Sequence, residues 1–137
     1  MIEKYLIILG SFIFLALGCA HLAYTFFPNK FFARKAETVD SMKNDFPILT
    51  RQTTMWKAWI GFNASHSAGA IFIGLANIIL VCGHFKIYQD SVGFLLLNDL
   101  TLIFYLYLAK KYWFKIPLRW ILVATICFIV ATIIILF

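Results

Sequence analysis

The chain has 137 residues, of which 63% are apolar, 18% aromatic and 13% charged, with a mean hydropathy of +0.88. A soluble domain carries about 25% charged residues. This chain therefore has too few polar side chains to face water all round, which excludes soluble globular and disordered proteins alike. Twelve Lys and Arg against six Asp and Glu leave a charge of +6. On so apolar a chain that excess points to an anionic bilayer surface rather than to nucleic acid.

Four runs are nearly free of charge. Residues 5–27, 58–83 and 120–137 contain no Lys, Arg, Asp or Glu, and 91–109 contains Asp99 alone. About 17–25 apolar helical residues cross a bilayer, and the runs lack the period-2 alternation of a barrel strand. The reading is a single integral membrane domain, 1–137, that is all-α and built as a four-transmembrane-helix bundle. Positive residues set its orientation. Lys30, Arg34, Lys35, Lys43, Arg51 and Lys57 join the first two runs; Lys110, Lys111, Lys115 and Arg119 join the last two. Lys4 and Lys86 alone fall on the other side. The positive-inside rule then places loops 28–57 and 110–119 in the cytoplasm and both termini outside, as in a bacterial inner membrane. Trp56, Trp59, Tyr112, Trp113 and Trp120 cluster at the predicted inner interface like an aromatic belt.

In the first run, Leu17-Gly18-Cys19 echoes a lipoprotein cleavage box, yet Ala16 stands where that box takes Leu and the run continues to Phe27. It is expected to stay in place as a span. Cys19, Cys82 and Cys127 have no metal-type spacing and read as small apolar residues. Ser11, Gly18, His21 and Thr25 share a helical stripe, a small-and-polar face that should turn toward other helices. Between the first two runs, Phe32, Ala36, Val39, Met42 and Phe46 recur at helical spacing. They predict an amphipathic helix over 29–46 on the inner leaflet, with Asn29 as N-cap and Pro47 ending it. That segment is an anchor or a lid.

The second run carries Asn63, His66, Ala70, Gly74 and Asn77 on one face. The third carries Asn98, Thr101 and Tyr105 on one face, bordered by Asp99. The fourth, with Thr125, Cys127 and Thr132, reads as the wall. Ionisable residues inside a span are expensive and so mark function by default, which singles out His21, His66 and Asp99. At about 1.5 Å per residue they lie roughly 9, 12 and 15 Å from the inner edge. The competing reading of a lone His, or of Ser65, Ser67 and Asn77, is a hydrogen bond between packed helices. Asn63 and Ser67 are placed to orient the His66 ring. A lone carboxylate in hydrocarbon must take a partner or a proton, so Asp99 is expected to meet His21 or His66.

The stretches Gly18-Cys-Ala-His21-Leu-Ala-Tyr-Thr25, Thr53-Thr-Met-Trp56-Lys-Ala-Trp59-Ile-Gly61-Phe-Asn63-Ala-Ser-His66-Ser67 and Ala109-Lys-Lys-Tyr-Trp113-Phe-Lys-Ile-Pro117 resemble those of a family of small bacterial four-helix membrane proteins of uncharacterised function. The resemblance implies the four-helix topology and no activity.

Three functions fit. In the first, His21, His66 and Asp99 perform acid/base chemistry on a small lipophilic molecule, held by Asn63, Ser67, Asn98, Trp59 and Thr25. In the second, His21 and His66 ligate haem, as facing helices of a bundle can. In the third the chain is a non-catalytic assembly or accessory subunit, associating with copies of itself or a partner through Gly61, Ser65 and Gly69.

Overall fold

Without water to satisfy backbone groups, an apolar run closes its hydrogen bonds within itself, and the helix is the form that does so. The computed structural model describes residues 1–27 and 29–137. It contains α1 (Ile2–Phe26), a 3-10 turn (Asn29–Phe31), α2 (Ala36–Asn44), α3 (Met55–Gly83), α4 (Lys86–Asp90), α5 (Val92–Tyr112) and α6 (Lys115–Leu136). The fold is an all-α four-helix bundle, and α1, α3, α5 and α6 are each long and apolar enough to cross a membrane. Large apolar side chains stand exposed on all four, among them Phe12, Phe62, Phe72, Leu97, Leu100, Phe104, Ile126 and Ile133. Apolar surface on that scale suits lipid and not water, so the protein is an integral membrane protein.

The helices outrun the charge-free stretches. The first, second and fourth begin at Ile2, Met55 and Lys115 rather than at 5, 58 and 120, and the third ends at Tyr112 rather than 109. Hydrogen bonding continues into the interface, where Lys and Arg reach water along their flexible stems. Local chemistry then sets the ends. The Thr54 hydroxyl accepts from the Lys57 N–H at 3.3 Å, and the Ser91 hydroxyl from the Phe94 N–H at 3.2 Å. Pro117 sits in the first turn of α6, where its missing N–H would have had no helical partner.

Contacts within the chain divide it into two units, 1–17 with 70–137 and 18–69, and the boundary falls inside α1 and inside α3. The first unit packs parts of all four long helices around Ile7, Phe14, Leu95, Leu102, Ile121 and Phe128. Two glycines let its helices approach closely. A Cβ on Gly74 would stand 2.7 Å from the Ser11 carbonyl oxygen, and one on Gly10 2.8 Å from the Phe128 ring. The turn of α4 was not foreseen from the sequence. It drives Tyr88 into the bundle at full burial, where its hydroxyl donates to the Asn77 side-chain oxygen.

The second unit holds the C-terminal end of α1, the 3-10 turn, α2 and the N-terminal half of α3. The single amphipathic helix expected over 29–46 is instead a short turn, a bend and a nine-residue helix. Aromatic packing accounts for the break. Phe31 lies on His21 and Trp59 while the next residue, Phe32, lies on Trp56. Successive positions of an α-helix point about 100° apart and would not seat both on the stacked Trp56–Trp59 pair. The N-cap of α2 is Lys35, without a side-chain cap bond, and the capping role expected of Asn29 falls on a side chain outside those described. Of the expected apolar face, Val39 is buried and Met42 half-buried, whereas Ala36 and Phe46 are exposed. The helix stops two residues before Phe46, where Asp45 takes an extended backbone and its carboxylate accepts from the Phe46 N–H. The Met55 N–H then donates to the Asp45 carbonyl at 2.9 Å, closing the loop between α2 and α3.

Candidate functional site

Polar side chains on an apolar helix have few partners, and most of those here turn back on their own backbone. Thr25 donates to the His21 carbonyl at 2.8 Å, Ser67 to the Asn63 carbonyl at 2.8 Å and Ser65 to the Phe62 carbonyl at 3.1 Å. Asn98 donates to the Phe94 carbonyl at 3.0 Å and Thr101 to the Leu97 carbonyl at 2.7 Å. These bonds stay within one helix, and so replace the bonds between helices expected of Ser65 and Ser67. The carbonyl one turn back is always within reach of a short hydroxyl or amide side chain. Asn77 makes both kinds of bond, donating to the Ile73 carbonyl and accepting from Tyr88.

His21 and Asn63 depart from the pattern. His21 Nε2 lies 2.9 Å from Asn63 Oδ1, joining the end of α1 to the start of α3. Asn63 Nδ2 donates to the Trp59 carbonyl at 2.8 Å. A carbonyl oxygen only accepts, so that bond fixes which end of the amide is nitrogen and leaves its oxygen facing the imidazole. Nε2 of His21 must therefore carry the hydrogen, whether the ring is neutral or charged. In the neutral ring Nδ1 is then the nitrogen with the free lone pair. Asn63 was expected to orient His66; its side-chain oxygen goes to His21 instead.

His66 completes the group. Its ring stands edge-on to that of His21, with centroids 5.5 Å apart and planes at 74°. This contact places both imidazoles at one level of the unit. Phe31 also packs on His21, with ring centroids 4.6 Å apart, and Tyr24 and Trp59 pack on Phe31 at 6.1 and 6.4 Å. Trp59 stacks on Trp56 at 5.5 Å. Both histidines and Asn63 are half-buried in this aromatic surround. Spacing on α1 and α3 brought out His21, Asn63 and His66, and Trp59 was singled out as part of an aromatic belt. Phe31 and Tyr24 escaped, because one lies in an irregular segment and the other on an exposed flank, where no periodicity marks them.

Bis-histidine haem ligation needs a porphyrin plane between two ring edges. The direct contact of the His21 and His66 rings leaves no gap for one, so this arrangement does not fit haem.

Asp99 and Asn98 belong to the unit formed by 1–17 and 70–137. Asp99 is 9% exposed, and its Oδ1 is buried with no hydrogen-bond partner among the described residues. Thr132 of α6 lies beside the same carboxyl, so the helix read as plain wall brings a polar neighbour to it. A carboxyl with one orphaned oxygen is costly in such a core. No known family, curated protein or solved structure matches this chain.

Proposed function

We propose that this integral membrane protein binds the polar end of a small lipophilic molecule at His21, Asn63 and His66 and transfers a proton to or from it. One observation carries the reading: Asn63 holds the Nε2 hydrogen of His21, which leaves Nδ1 as a base beside a second imidazole in an aromatic surround. In that geometry His21 accepts a proton at Nδ1 and His66 is the neighbouring donor or acceptor. Trp59 and Phe31 supply apolar contact for the ligand. Thr25 and Ser67, whose hydroxyl hydrogens are committed to their own helices, offer only oxygen lone pairs. A positioned acid or base of this kind is worth about 10²–10⁴ in rate. Asp99 enters the reading as a costly carboxyl kept in the core for something other than stability. The orientation with loops 28–57 and 110–119 in the cytoplasm is part of the proposal.

The test is mass spectrometry and an absorption spectrum of gently purified protein beside His21→Phe and His66→Phe variants whose helicity is intact. An oxygen-bearing lipophile should leave with the wild type and be missing from both variants, with no Soret band. Identical extracts from all three would end the proposal.

A second reading, the assembly subunit, is favoured by the face of α3 on which Gly61 and Ser65 are exposed, since a Cβ at Gly61 would meet nothing within 4 Å. Gly61→Leu should then abolish association with a copy or partner and leave bound lipophile unchanged.

A further inference from the structure

Three cations meet around one hollow in the segment between α1 and α3. Lys30 comes from the 3-10 turn, Arg34 from the bend after it and Lys43 from the last turn of α2, and with Asp40 they line a cavity of about 600 Å³. Its remaining wall is apolar, formed in part by Phe32 and the buried Val39. None of the three cations forms an ion pair among the described residues. Lys43 is steadied by the Trp56 ring, 5.8 Å from its Nζ. Three cations against one carboxylate leave the hollow with an uncompensated positive charge, which the chain tolerates only where an anion or water is at hand.

We infer that this hollow is a headgroup site for an anionic phospholipid, with Lys30, Arg34 and Lys43 on the phosphodiester and Asp40 the one lining group that opposes it. A guanidinium and two ammonium groups suit phosphate oxygens. The apolar wall suits the ester and upper acyl region of a lipid, which a soluble phosphate would leave empty. Tethering favours the same source. The segment is bound at both ends to helices long enough to cross the bilayer, and its 3-10 turn starts three residues after the end of α1. This is a recognition site for one headgroup, beyond general attraction of basic residues to an acidic surface. It rests on the membrane placement of the chain and not on the histidine chemistry.

The experiment is native mass spectrometry of the full-length protein in detergent, titrated with dioleoylphosphatidylglycerol, dioleoylphosphatidylcholine or sn-glycerol 3-phosphate. Phosphatidylglycerol should bind on the order of tenfold more tightly than phosphatidylcholine. K30Q/R34Q/K43Q should erase that preference, while K110Q/K111Q/K115Q, an equal loss of charge elsewhere, should keep it. Asp40→Asn removes the one like charge facing the phosphate and should tighten phosphatidylglycerol binding several-fold, a gain that misfolding cannot imitate. Equal binding of the two lipids, an equal loss in both triple variants, or weaker binding by Asp40→Asn would overturn the proposal. So would glycerol phosphate binding as tightly as the lipid, which would make the ligand a soluble phosphate ester.

Discussion

Replacing Asn63 with Leu removes the group that holds the His21 ring. The substitution keeps the size and apolar packing of the side chain but deletes two bonds, to His21 Nε2 at 2.9 Å and to the Trp59 carbonyl at 2.8 Å. An imidazole N–H left without its partner costs about 1–3 kcal/mol where it is buried. His21 is half-buried, so the lower part of that range applies and Asn63→Leu should cost about 1–2 kcal/mol. A double-mutant cycle with His21→Phe isolates the bond between the two side chains, because loss of the Trp59 bond occurs in both legs and cancels. Bonds between membrane helices measured in this way average about 0.6 kcal/mol and reach about 1.7. A short bond of fixed orientation belongs near the middle, so the coupling should be about 1 kcal/mol. Reversible unfolding in detergent, followed by tryptophan fluorescence, reads it directly, since Trp56 and Trp59 adjoin the site. A coupling of zero within error would show that Asn63 does not hold His21, and the argument for Nδ1 as the base would go with it.

Other outcomes follow from the same packing. Gly74→Ala puts a methyl 2.7 Å from the Ser11 backbone oxygen and should cost about 1–3 kcal/mol by detergent unfolding, whereas Gly61→Ala should be neutral or stabilising. Asp99→Asn should raise the melting temperature, because it removes an ionisable group whose Oδ1 has no described partner; a lower melting temperature would make Asp99 a structural residue. Burial pushes the Tyr88 phenol, on the turn outside the spans, well above its usual value near 10. The unfolded chain therefore releases that proton first as pH rises, so the contribution is whole below about pH 10 and is lost above it. Thermal denaturation should show an alkaline decline in the wild type that is smaller in Tyr88→Phe.

The four long helices were plain in the sequence because lipid imposes one demand on every residue of a span. A fixed rise per residue turned position into an expected depth for His21 and His66 once a helix direction was assigned, but the contact of their rings did not follow from it. Asn63 stood on the right face, but its partner did not follow from spacing, since two imidazoles at one depth compete for one amide. The break between Phe31 and Ala36 was hidden, because the apolar repeat through 32, 36, 39 and 42 suits a helix and says nothing of the stacked tryptophans that capture Phe31 and Phe32. Tyr88 was hidden too. A five-residue turn is too short to show a period, and its burial depends on an acceptor eleven residues away on α3.

Nitrogen-15 NMR of histidine-labelled protein, recorded with its co-purified lipid and again after exhaustive detergent exchange, puts the ligand claim to its sharpest trial. Stripping should move the His21 Nδ1 resonance and disturb His66, while Nε2 keeps its hydrogen and its bond to Asn63. Spectra in which neither imidazole responds, or in which His21 carries its hydrogen on Nδ1, would contradict a lipophile seated there.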